Sequence, residues 1–291
     1  MKKIFFPAIA GLVISCATIR TNAQEFKEHI SKQFTPQNAA NVTTLAIYNI
    51  EGSIKVEGYS GDKVIMEIDK TIYAKNNDVL EQGKKEVELG FDQKSDTIWA
   101  YIAEPWDSRP HEWRYSDDEW RNRRHIDYRY AFEYTVKVPY NMNVHVSTVN
   151  KGEVIIADVA GILSAHNVNG AITIKNAKNT TVAHTINGAL TVNYLEVPPA
   201  NSSYYTLNGT LTVTYPASLN ADLSFKSMNG GFYTDFDKVE VLPARVTKST
   251  EKHGDGTTYK IEKDNDIRIG NGGKMFKFET LNGNVYIKKQ S

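Results

Sequence analysis

The chain has 291 residues, with 34 basic and 34 acidic side chains and a single cysteine. Such a balance excludes the one-sided positive charge a nucleic-acid surface needs, and one cysteine excludes an internal disulfide framework. Sixteen tyrosines, with abundant Thr, Val and Ile, favour strands over helices.

Residues 1–23 read as an export signal. Lys2 and Lys3 form a positive start, residues 4–14 an apolar stretch too short to span a bilayer, and Thr21-Asn22-Ala23 a cleavage site before Gln24. Val13-Ile14-Ser15-Cys16 also resembles a lipobox, which would acylate Cys16 and make a lipoprotein. Both readings export the chain, to the periplasm or to the outer membrane and cell surface. Cleavage after Ala23 removes Lys2, Lys3 and Arg20, leaving about 268 residues with 31 basic and 34 acidic side chains and no cysteine. No transmembrane segment is expected in the mature chain.

Residues 24–143 read as a strand-rich region. Ile54 and Val56, then Val64, Met66 and Ile68, alternate with polar neighbours around a turn at Gly58-Tyr59-Ser60-Gly61-Asp62. Asn77 suits the cap of a short helix running to Lys84, which Gly83 weakens. Val87, Leu89 and Phe91, then Ile98, Ala100 and Ile102, flank Gln93-Lys94-Ser95-Asp96 as a hairpin. Residues 104–130 break the alternation: 13 of these 27 residues are charged and six are aromatic. Ser116-Asp117-Asp118-Glu119 has capping-box spacing, so a short helix is expected inside this insertion, before a strand at 132–138.

From residue 144 to 235 the chain repeats itself. Asn169-Gly170-Ala171-Ile172-Thr173-Ile174, Asn187-Gly188-Ala189-Leu190-Thr191-Val192 and Asn208-Gly209-Thr210-Leu211-Thr212-Val213 are the clearest copies, with weaker ones at Gly52, Gly152, Gly230 and Gly283. Spacings of 18 and then 21 residues predict coils of two short strands and two corners, with glycine at corners for its tolerance of positive φ. Two residues after the glycine stand Ile54, Val154, Ile172, Leu190, Leu211, Phe232 and Val285, an expected core file; Thr173, Thr191 and Thr212 should form a file outside. Residues 236–291 read as C-terminal hairpins, turning at Gly254-Asp255-Gly256 and Gly270-Asn271-Gly272-Gly273, with a last coil around Gly283. The expected fold is all-β: a parallel β-solenoid, a single-stranded β-helix or roll, with a strand-rich N-terminal region and a hairpin-capped C-terminus.

The insertion carries the candidate ligand-binding residues. Trp106, Arg109, Trp113, Arg114 and Trp120 set indole faces beside hydrogen-bonding charges, as stacking on sugar rings requires. The structural alternative is that the tryptophans pin the insertion to the sheet. His166 and His184 occupy matching positions of adjacent coils, but Tyr205 stands where a third metal ligand would be needed, so no metal site is expected. Asn169, Asn187, Asn208 and Asn229 should form a corner column bonding backbone groups of the next coil. The nucleophile-elbow, zinc-protease and phosphate-loop patterns do not occur, and Glu153 and Asp158 read as isolated acids rather than a carboxylate pair. No catalytic residue, cofactor or enzymatic activity is expected.

The export signal, Ile50-Glu51-Gly52-Ser53-Ile54-Lys55-Val56, the repeated Asn-Gly units and the closing Thr280-Leu281-Asn282-Gly283-Asn284-Val285 together resemble the bacterial exported β-strand-repeat proteins of unknown function, often labelled putative adhesins. The signal looks like those of Bacteroidota. The resemblance implies a β-solenoid without established catalytic residues, and the insertion departs from it. The leading expectation is a non-catalytic cell-envelope protein, an adhesin-like scaffold or binding surface for an envelope protein or glycan. One alternative is a glycan-binding module, or remnant carbohydrate-active protein, using the Trp-rich insertion; another is an envelope-stress component with a membrane partner.

Overall fold

In the computed structural model the residues described are 24–36, 43–94, 96–103, 126–253 and 256–290, without the side chains of 245–264. The chain is mostly β. It builds two facing, largely parallel sheets, the arrangement of a β-solenoid or roll. The middle of the stack runs in chain order. In sheet I, β9 (Val154–Ala157), β11 (Ile172–Ala177), β13 (Leu190–Tyr194) and β15 (Leu211–Tyr215) are successive parallel neighbours. In sheet II the same holds for β8 (Asn143–Thr148), β10 (Leu163–Asn167), β12 (Thr181–Asn187) and β14 (Ser202–Asn208).

The predicted core file exists. Ile54, Val154, Ile172, Leu190, Leu211, Val285 and Phe232 lie opposite one another from strand to strand. All but the half-buried Phe232 are fully buried. The neighbouring file of Val56, Ile156, Ile174, Val192, Val213 and Ile287 is buried as well, and Thr173, Thr191 and Thr212 align on the outer face. One coil cannot bury these side chains alone, so each depends on its neighbours for a core.

The order of the copies differs from the chain order at both ends. β22 (Val285–Lys289) lies between β15 and β17 (Phe232–Thr234), and β21 (Lys274–Asn282) between β14 and β16 (Ala221–Asn229). The last coil of the chain is therefore intercalated into the stack. At the other end, β2 (Thr44–Tyr48) and β3 (Ile54–Tyr59) lie between β8/β9 and the later strands β6 (Thr97–Ala103) and β7 (Arg129–Pro139).

Antiparallel strands close the ends. β1 (Gln24–Phe34) pairs with β4 (Val64–Ala74), which pairs with β7. β5 (Glu88–Lys94) and β6 form the expected hairpin. So do β19 (Arg245–His253) and β20 (Gly256–Ile269). The turn at 270–273 does not make a hairpin: β16 lies between β20 and β21, and Asn271 N–H donates to Asn220 Oδ1 at 2.8 Å. β20 and the short β18 (Val239–Val241) cover that edge of sheet II with antiparallel pairing.

The helix α1 (Asn77–Glu86) starts one residue earlier than expected, because Asn76 is the cap: its Oδ1 accepts from Val79 N–H at 2.9 Å. Gly83 is tolerated for a packing reason. A β-carbon there would press on Ile72 and Tyr128 at 3.0 Å.

Corner glycines are explained differently from the expectation. Positive φ occurs at Gly52 but not at Gly170 or Gly188. At Gly188 a β-carbon would overlap the carbonyl of Gly170, as at Gly170 it would overlap that of Gly152. Close backbone stacking, rather than a left-handed conformation, selects glycine there.

The second half of the core is aromatic. Tyr194 and Tyr215 stack at 5.1 Å, Tyr215 and Phe276 at 5.5 Å, and Tyr204 and Phe278 at 5.0 Å. The Tyr194 and Tyr204 hydroxyls share a hydrogen bond of 2.7 Å, and Tyr215 donates to Tyr204 at 3.2 Å, so the buried hydroxyls satisfy one another. Burial raises all three phenol pKa values.

Candidate functional site: the outer faces and corners of the stack

Trp106, Arg109, Trp113, Arg114 and Trp120 lie outside the described residues. The insertion leaves from the end of β6, four residues after Trp99.

His166 and His184 are where the sequence places them, opposite one another on β10 and β12, with Tyr205 next on β14. They belong to a longer ribbon. Trp99 and Tyr48 are 5.8 Å apart, Tyr48 and His145 5.6 Å, His145 and His166 5.6 Å, His166 and His184 5.3 Å, and His184 and Tyr205 5.9 Å between ring centroids. The ribbon crosses β6, β2, β8, β10, β12 and β14 on the outer face of sheet II, and all six side chains are half-buried. Glu279, paired with Lys226 at 3.6 Å, continues it.

His145 escapes sequence reasoning because it is not in register with His166. It lies opposite Ser164 and reaches its neighbour diagonally. The missed signal was the alternation Val144-His145-Val146, which turns His145 outward.

The ring angles limit what the ribbon can do. Tyr48 and Trp99 stack face to face at 18°, and His166 meets His184 edge-on at 90°. The other three contacts are tilted or edge-on, at 49°, 40° and 74°, so the rings do not present one flat, continuous π-surface. Burial and the neighbouring imidazoles lower His166 to about 4; burial lowers His184, with Glu279 opposing. His166 and His184 are thus uncharged at neutral pH. Among the described residues no group of three or more His, Cys, Asp or Glu is placed to hold a metal.

The asparagine column bonds through its side chains, not to the neighbouring backbone as expected. Asn169 donates to Asn150 at 2.8 Å, Asn187 to Asn169 at 2.8 Å, Asn208 to Asn187 at 2.8 Å, Asn282 to Asn208 at 2.7 Å and Asn229 to Asn282 at 2.7 Å. Inside the same corner Thr148, Asn167, Thr185 and Thr206 donate to the carbonyls of Gly52, Gly152, Gly170 and Gly188. These four corners are therefore tied twice and their glycine carbonyls satisfied, whereas the equivalent Thr280 hydroxyl in the last coil has no hydrogen-bond partner among the described residues.

Glu153 is not isolated. It shares a shallow recess on sheet I with Ser53, Lys55, Glu133, Lys151 and Asn169. Registers place Glu133, Ser53 and Glu153 in one row on adjacent strands, which sets the two acids about 10 Å apart by strand spacing. Glycoside cleavage would require one of them to be a proton donor in apolar surroundings. Instead both are exposed, and Glu133 accepts hydrogen bonds from Ser53 N–H and from its hydroxyl. This row resembles a polar corner rather than an acid–base pair.

No family model matches the chain, and no curated protein sequence matches it. Solved structures it is similar to include a putative cell adhesion protein from Clostridium sporogenes, at 12% identity and TM-score 0.44, covering 91% of this chain and 100% of that one. Another is a putative adhesin from Bacteroides fragilis, at 10% identity and TM-score 0.35, covering 90% and 97%. A putative adhesin from Parabacteroides merdae shows 8% identity and TM-score 0.24, covering 91% and 97%. At these scores the likenesses carry no functional argument. Among the described residues no helix is long and apolar enough to cross a membrane.

Proposed function

We propose that the protein is an exported, non-catalytic scaffold of the cell envelope whose outer sheet face is an adhesin-like binding surface. The observation that supports this reading is the ribbon Trp99–Tyr48–His145–His166–His184–Tyr205, an uninterrupted file of amphipathic rings on a rigid sheet. Five strand spacings make it about 24 Å long, enough for an extended partner, and rigid aromatic side chains lose little entropy on contact. The test is saturable binding of the mature chain to immobilised envelope glycans and envelope proteins. The variant His166→Ser/His184→Ser/Tyr205→Ser, which keeps the strand register, should bind at least tenfold more weakly. Equal binding would remove the ribbon from the function. Turnover of a polysaccharide, lost on mutating Glu133 or Glu153, would replace the whole reading.

A second reading is glycan binding by Trp106, Arg109, Trp113, Arg114 and Trp120. Its support is that the insertion leaves the strand that carries Trp99, at one end of the ribbon. A Trp106→Ala/Trp113→Ala/Trp120→Ala variant that still binds a glycan array as the parent does would dismiss it.

A further inference from the structure

β1 is an outermost strand of sheet I. It pairs along 11 residues with β4, and among the described residues no strand pairs with its other side. A strand of that length leaves a row of backbone donors and acceptors about 37 Å long open to pairing. Its inward side chains are only half covered: Phe26, Ile30 and Phe34 pack on the core but remain partly exposed. Between them stand Glu28, which meets the buried Lys70 at 3.4 Å, and Lys32, whose ammonium lies 5.6 Å from the Phe91 ring.

The inward pattern Phe26-Glu28-Ile30-Lys32-Phe34 is self-complementary when reversed. Two copies of β1, antiparallel about a two-fold axis at Ile30, set Phe26 opposite Phe34, Glu28 opposite Lys32 and Ile30 opposite itself. Outward, the same register sets Lys27 opposite Gln33 and His29 opposite Ser31, so no like charges meet. Opposed residues of an antiparallel pair share a face, so any other symmetric register shifts by two. An axis at His29 opposes Phe26 to Lys32, and one at Ser31 opposes Ile30 to Lys32. Axes at Glu28 or Lys32 put like charges on the two-fold itself, which is destabilising. Only the axis at Ile30 matches every inward pair.

We infer that β1 is a homodimerisation edge: sheet I continues across a two-fold at Ile30 into the sheet of a second copy. Lysine on an exposed edge usually blocks such pairing; here Lys32 is instead the partner of Glu28 in the other copy. The inference is independent of what the outer faces bind.

Light scattering on the mature chain at high micromolar concentration should give twice the chain mass. Lys27→Cys/Gln33→Cys, both exposed and in a chain whose mature form is expected to have no other thiol, should oxidise to a covalent dimer, while each single variant should not. Lys32→Glu, which brings two glutamates together at both ends of the pair, should weaken dimerisation at least tenfold while keeping the circular dichroism of the parent. A monomeric parent, a dimer that the paired cysteines fail to trap, or a Lys32→Glu protein that dimerises as well as the parent would each overturn the assignment.

Discussion

Gly188 shows how tightly single residues specify the corner. Its missing β-carbon is the space occupied by the carbonyl of Gly170, and the adjacent Thr185 hydroxyl donates to that same carbonyl at 2.9 Å. Gly188→Ala must displace backbone in two coils and should cost about 3 kcal/mol. Thr185→Val keeps the shape but leaves a carbonyl unsatisfied, about 1–3 kcal/mol; denaturant titration of both against the parent is the check. The histidines give a pH signature. His166 is lowered from 6.5 to about 4 by burial first and then by His184 and His145; Ser164, hydrogen-bonded to its ring, and Ser147, opposite it on β8, are its uncharged neighbours. A depressed folded-state value means the unfolded chain binds more protons, so this contribution is complete above pH 6.5 and fades as pH falls towards 4. Half-exposure reduces the effect to about 2 kcal/mol. His166→Gln should lose less stability than the parent between pH 7 and 4.5, and parallel losses would show that the imidazole is not the cause.

The elements that sequence patterns made legible are those whose signal is local. The glycine spacing marks each coil, the alternation at residues 54–68 marks β3 and β4, and Gln93-Lys94-Ser95-Asp96 marks a hairpin. The order of coils was not legible, because the copy at Gly283 has the same corner chemistry as any other and fits wherever an Asn-Gly corner awaits it. For the same reason Gly270-Asn271-Gly272-Gly273 marks a turn without saying which strands pair across it; β16 intervenes. Of the candidate site, His166, His184 and Tyr205 were legible from period alone, whereas His145 joins on a diagonal that no fixed period reveals. The intercalated coil has a measurable consequence. Phe276 stacks on Tyr215, and Phe278 is held between Tyr204 and Phe225. Removing residues 273–290 would open the core in its interior, so the truncated chain should bind a hydrophobic dye and lose near-ultraviolet circular dichroism, rather than simply shorten by one coil.

At the scale of the whole molecule, a simple solenoid frays from its ends, because each repeat touches only its neighbours. Here the apolar core is one continuous cluster from Leu45 to Ile287, and both ends are built from segments distant in the chain. Loosening the terminal coil β16/β17 still leaves β21 and β22 paired to β14 and β15. Loosening β6 and β7 still leaves β2 and β3 paired to β8 and β9. Such non-local closure raises the loop entropy that must be overcome before any end coil forms, which slows folding but couples the coils once formed. The expected outcome is a single thermal transition with coincident far- and near-ultraviolet signals, and hydrogen exchange in β21 and β22 as slow as in β12 and β13. Early exchange confined to β21 and β22, with the central strands still protected, would mean that the intercalated coil is only laid onto the stack and that its place between two others adds no cooperativity.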